Sequence, residues 1–202
     1  MESVVYVLLV VTSLVSLTVI IERGLALRWR KVVPPEVEAA VESCQAREDV
    51  PMLRRVCEQY GSPLSRLLLL AIEHLHLSKE ETVSALETRA RHEVVQLERG
   101  LVVLEVAVGV APLLGLVGTI VGMITLFADI GHAGLGDAAR LAQGIALILN
   151  ATLLGLLIAI PSLVAWCYFN RKIETLSVEM ETLCDEFVRR QYRPHEQLVG
   201  KR

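Results

Sequence analysis

Val106–Ala128 reads VAVGVAPLLGLVGTIVGMITLFA, 23 residues without a charged side chain. At a rise of about 1.5 Å per residue this is a helix of roughly 35 Å, enough to cross a hydrocarbon core of about 30 Å. Water-soluble proteins seldom bury a helix of that length with no charge on any face. The stretch therefore reads as a transmembrane helix.

Two further stretches share its character. Ser3–Ile21 and Leu141–Asn170 are also nearly free of charge. The 53% hydrophobic content of the 202-residue chain is thus concentrated in three segments rather than spread. The first segment starts Met1-Glu2-Ser3 and has no basic residue before it, whereas Arg23, Arg28, Arg30 and Lys31 follow it. A secretory signal carries its charge ahead of the apolar run, so a retained helix is expected.

Basic residues set an expected orientation. Of 20 Lys and Arg, 12 fall between Arg23 and Arg99, one is Arg140, and 7 follow the third segment. Positively charged loops stay cytoplasmic. The expected organisation is a first membrane helix over 1–27 with its N-terminus outside, a cytoplasmic helical domain over 28–100, and a second membrane helix over 101–127. A periplasmic loop over 128–140, a third membrane helix over 141–170 and a cytoplasmic helix and tail over 171–202 complete it. An all-α, multi-pass membrane protein in contact with lipid is expected.

Within 28–100, Pro34-Pro35 and Pro51 open short helices, and Gly61-Ser62-Pro63 precedes another over Leu64–Leu77. Ser78 with Glu81 three residues on is a capping box. Beyond it only Gly100 interrupts, so one helix is expected from Lys79 to Phe127. The third membrane helix also continues past its apolar stretch. There Ile173, Leu176, Met180, Leu183 and Phe187 form a stripe at spacings of 3 and 4. Such a stripe needs a partner, either the Lys79–Gly100 segment or its copy in a neighbouring subunit.

Most chemical classes are poorly served. Paired carboxylates, a nucleophile beside a base, and a phosphate loop are all missing at useful spacing, so the chain reads as no enzyme. Cys44, Cys57, Cys167 and Cys184 show no CxxC pairing and read as reduced thiols. His74 and His76 point to different helix faces, so neither a metal site nor a cofactor is expected. The basic residues are not grouped in a way that suggests nucleic-acid binding.

Two membrane helices carry stripes of small residues, which allow backbones to approach closely. Ala111, Gly115, Gly118 and Gly122 lie on the second helix, and Thr152, Gly155, Ala159 and Ser162 on the third. Thr119 shares the first stripe. A membrane threonine has two roles open to it, returning its hydroxyl to the i−4 carbonyl or lining a polar path. Asn150 carries an amide that one carbonyl cannot satisfy, so it should face protein or water. Glu105, near the start of the second span, is either a pathway exit or an interfacial charge reaching water.

These residues also carry a resemblance. Ala111-Pro112-Leu113-Leu114-Gly115-Leu116-Val117-Gly118-Thr119-Ile120-Val121-Gly122-Met123-Ile124 resembles the second-helix signature of the MotA/TolQ/ExbB proton channel family. Gly144-Ile145, Leu149, Thr152, Gly155-Leu156 and Ala159-Ile160-Pro161 are similar to its third-helix signature. Ile20-Ile21-Glu22-Arg23 resembles the end of its first helix, and the three-helix arrangement matches the ExbB/TolQ-like branch. The resemblance implies a pentameric ring around a central pore in the bacterial inner membrane. It implies an ExbD/TolR-like single-helix partner with an intramembrane Asp as proton carrier, and a TonB/TolA-like energy-transducing protein beyond that. Thr119 and Thr152 match the pore-lining threonines, and the transported ion would be H+. Leu147 departs from the pattern, standing where the family usually has Glu. That departure leaves room for a stator of a gliding or defence motor, or for an oligomeric scaffold that conducts nothing.

Overall fold

The computed structural model describes residues 2–133 and 138–199. All regular structure among them is helical: α1 (Glu2–Ala26), α2 (Trp29–Val32), α3 (Pro35–Ser43), a 3-10 turn (Arg47–Asp49), α4 (Val50–Tyr60), α5 (Pro63–Glu73), α6 (Lys79–Glu98), α7 (Leu101–Ala133) and α8 (Ala138–Val199). Two compact units result. One contains residues 1–24 and 100–169, the other 25–99 and 170–202.

The first unit is built from the apolar helices. Three helices are long and apolar enough to span a membrane, within Ser3–Ala26, Leu101–Ala128 and Ala142–Tyr192. A helix satisfies its backbone hydrogen bonds internally, as a medium without water requires. Large apolar side chains point outward on all three: Val7 and Leu14 on α1, Leu113 and Ile124 on α7, Leu153 and Val164 on α8. Exposed surface of this extent matches lipid rather than water. The apolar helices reach further into the expected loop than composition suggested, to Ala133 on one side and from Ala138 on the other. The centre of that loop, 134–137, lies outside the described residues.

A conventional core builds the second unit. Val37 and Val41 of α3, Leu53 and Cys57 of α4, Leu64, Leu67, Leu68 and Ala71 of α5, and Leu86 of α6 are buried together with Leu176, Met180, Leu183 and Phe187 of α8. The heptad stripe of α8 is therefore covered within its own chain. It shares one core with residues of α3, α4 and α5 as well as of α6.

Caps and polar ties fix this unit. Ser62 caps α5 by accepting from Ser65 N at 3.1 Å. The Ser78–Glu81 capping box is present: Ser78 Oγ accepts from Glu81 N at 3.2 Å, and Glu81 Oε2 accepts from Ser78 N at 3.1 Å. The bond from Ser78 N, with a second from Ser78 Oγ to the same Oε2 at 3.0 Å, holds the Glu81 carboxyl below its ordinary range. Thr82 Oγ1 and Tyr192 OH meet at 2.9 Å, and Tyr192 donates to Leu77 O at 3.0 Å, tying α8 to the start of α6. Glu93 is fully buried, held by Arg66 through Nε at 3.0 Å and through a second guanidinium nitrogen, and by Arg89 at 3.1 Å.

One expectation is overturned. Lys79 to Phe127 is not a single helix: α6 ends at Glu98 and α7 starts at Leu101. Arg99 leaves the helical region at ψ 128, and Gly100 takes φ +87. Only glycine occupies that region at little steric cost. Of the two membrane helices expected to continue unbroken past the apolar stretch, the third does so as α8 and the second does not.

Candidate ion path and helix-packing site

Helical sequence places small residues where backbones of the first unit cross. A Cβ added at Gly155 would lie 2.5 Å from Ala111 O, and one at Gly115 would lie 2.8 Å from Ala151 O and 2.9 Å from Thr152 Cα. At Gly118 it would meet Ala151 Cβ at 2.9 Å and Val5 Cγ1 at 3.2 Å, and at Gly122 Ile148 Cγ1 at 2.8 Å. Ala111 and Ala159 are buried on the same faces. The two small-residue stripes are thus brought together between α7 and α8.

This close approach joins two hydroxyls. Thr119 Oγ1 and Thr152 Oγ1 are hydrogen-bonded to each other. Gly115 O lies 3.1 Å from Thr119 Oγ1 and 3.3 Å from Thr152 Oγ1. Two hydroxyls carry two protons. If one proton lies between the hydroxyls, the other goes to Gly115 O, and acceptor lone pairs remain unused on both threonines. The pair is half-buried, so it is tied into the helix packing and still reachable from one side.

The other candidates stand apart. Asn150 is exposed, two residues before Thr152 and so on another face of α8. It lines a shallow depression with Gln143, Gly144, Ala146 and Leu147, and Leu147 is 64% exposed. Glu105 is exposed on the second turn of α7, 14 residues and hence about 21 Å of helix before Thr119. Neither meets the threonine pair.

Some contacts were not anticipated from sequence. Val5 of α1 reaches Gly118, so all three spans meet there. Ala151 is 2% exposed and forms the wall against which both Gly115 and Gly118 pack. Gly144 faces Leu126, whose Cδ1 would lie 2.8 Å from an added Cβ. Its signal was a lone glycine opposite a large apolar residue, which periodicity does not separate from an ordinary helix position.

Comparison with known proteins gives a consistent result. Residues 59–182 match the model of the MotA/TolQ/ExbB proton channel family. The chain is 33% identical over 167 residues to the ExbB-like 1 protein of Synechocystis, covering 78% of this chain and 63% of that one. It is 42% identical over 81 residues to the biopolymer transport protein ExbB of Helicobacter pylori, covering 40% and 56%. To the biopolymer transport protein ExbB of Aquifex aeolicus it is 30% identical over 119 residues, covering 59% and 80%. The chain spans less than two thirds of the length of the first two.

Proposed function

We propose, for a chain that belongs to the MotA/TolQ/ExbB proton channel family, that it is the ion-conducting stator subunit of an inner-membrane motor. Its membrane helices form a homo-oligomeric ring, of five copies by likeness to the family. An ExbD/TolR-like single-helix partner carries the titrating Asp inside that ring, and proton flow past it drives mechanical work for energised transport. The family is one of channel and transport components, not of enzymes.

The Thr119–Thr152 pair carries this reading. A hydroxyl donates and accepts, so the pair can hand a proton or hold a water beside a partner's carboxylate. The free lone pairs and the half-exposed setting support that role. Leu147 and Asn150 bring no titrating group, so in this reading the acid belongs wholly to the partner. Glu105 offers an exit on the side where α7 begins.

Thr152→Val tests it. Valine keeps nearly the same shape and loses both hydrogen-bond functions. The expected result is normal assembly and partner binding with gradient-driven proton uptake reduced at least about tenfold, the scale of a lost proton-relay group. Thr119→Val added to it should do little further harm, because two members of one path do not add. Undiminished uptake in Thr152→Val would reassign the pair to packing. A second reading, an oligomeric scaffold that conducts nothing, is favoured by the exposed Leu147 and predicts that outcome.

A further inference from the structure

The chain just after α1 has an unusual pattern of burial. Leu27 is fully buried, and so are Val32 and Val33, which belong to the core of the second unit. The four residues between these anchors, Arg28, Trp29, Arg30 and Lys31, are all exposed, with Trp29 at 40%. Folding therefore fixes the backbone on both sides of a strongly basic tetrad.

Position adds to the pattern. The spanning helix ends at Ala26, so Arg28 follows it by two residues and Lys31 by five. At about 3.8 Å per residue these side chains start within roughly 8–19 Å of chain from the apolar helix. The headgroup layer begins there, and an exposed indole is the side chain that suits that layer. From Gly24 to Pro35 the sequence contains no acid. Among the described residues none of the three cations is ion-paired. Arg23 by contrast pairs with Glu22 at 2.7 Å, and Arg171 pairs with Glu174 at 2.9 Å.

We infer that Arg28, Trp29, Arg30 and Lys31 form a preformed docking surface for anionic phospholipid headgroups in the leaflet where α1 ends. The cations bind phosphate, arginine through its planar fork, while Trp29 seats in the glycerol region beside them. Because buried residues on either side hold the segment, little ordering is left to do on binding. This inference rests on the three-span fold and not on ion conduction.

Bromine-labelled lipids test it. The full chain carrying Trp166→Phe keeps Trp29 as its lone tryptophan and is reconstituted in nanodiscs of phosphatidylcholine and phosphatidylglycerol. Brominated phosphatidylglycerol and brominated phosphatidylcholine are compared at equal mole fraction. Each cation near an anionic surface contributes a factor of about five, so three set a high ceiling. The expected result is a preference of about threefold or more for quenching by the brominated anionic lipid. It should fall as salt rises and vanish in Arg28→Gln/Arg30→Gln/Lys31→Gln. A Trp29→Phe chain reporting through Trp166 should not respond to the triple change. Should the triple variant fail to insert, Arg30→Gln/Lys31→Gln and the salt series on the parent chain give the same reading. Equal quenching by the two lipids overturns the proposal, and so does a preference that survives the substitutions. Loss of the preference on adding millimolar inorganic phosphate would assign the surface to free phosphate instead.

Discussion

Arg66→Ala should damage the second unit far more than a half-exposed arginine ordinarily would. Glu93 is fully buried, and Arg66 supplies two of its three guanidinium contacts. Removing them leaves a buried carboxylate with Arg89 alone, whose side chain is 40% exposed. Breaking one side of a buried pair costs about 3–5 kcal/mol, since the remaining charge loses its compensation. For a unit of this size about 1 kcal/mol shifts the midpoint by roughly 4 °C, so a fall of about 12–20 °C is expected. The thiols give the assay. Cys44, Cys57 and Cys184 are buried in this unit and Cys167 is exposed. In a Cys167→Ser background, a thiol-reactive dye followed on heating reports the opening of this unit. Arg66→Met/Glu93→Leu is the complementary variant. It removes both charges and should recover most of the loss, because apolar replacement of a buried pair is often neutral. A shift under about 4 °C for Arg66→Ala would refute the reasoning, as would a double variant that melts no higher than the single one.

Gly155→Ala should weaken helix packing by about 1–3 kcal/mol through overpacking against Ala111 O, whereas Gly109→Ala, with nothing within 4 Å, should be neutral or slightly stabilising; resistance of the detergent-solubilised chain to thermal unfolding separates them. Burial pushes the Cys57 thiol up from 9.0 to about 12. Folding thus favours its neutral form: that contribution is complete below pH 9.0 and is lost as pH rises toward about 12. Thermal melts over this alkaline range should fall less steeply in Cys57→Ala than in the parent chain. The expected orientation is checked by membrane-impermeant labelling, with a cysteine placed at Gly134 modified from outside and one at Gly61 protected; the reverse pattern would invert the topology.

Much of the fold could be read in the sequence because lipid imposes blunt rules. A run such as Val106–Ala128 has no other stable home, and the small stripes announce where backbones meet. The break at Gly100 could not be read the same way. A glycine inside a helix costs only about 1 kcal/mol against alanine, so the letter alone does not say whether the helix continues. The outcome depends on φ +87 at Gly100, a backbone choice that the sequence does not display. The composition changes there, from a mostly polar stretch to an apolar one, but an unbroken helix entering a membrane would change in the same way. The Glu93 site was hidden for a related reason. In sequence Glu93 is one acid among many on a polar helix, and its partner Arg66 lies 27 residues away, too far for any helical spacing rule to pair them.

For the candidate path the limit was different. Sequence placed Thr119 and Thr152 on their stripes but could not join them, because their bond depends on the depth to which α7 and α8 interpenetrate. That depth is allowed by Gly115 and Gly155, each of which leaves no room for a Cβ against the facing backbone. It follows that the hydroxyl pair and the glycine contacts are one structure. Alanine at Gly155 moves Ala111 O, and with it the turn that carries Gly115 O, the carbonyl beside both hydroxyls. A variant that loosens the packing should therefore lose the threonine pairing as well, while Thr152→Val loses the pairing and keeps the packing. Only the second separates the proposed proton handling from helix packing.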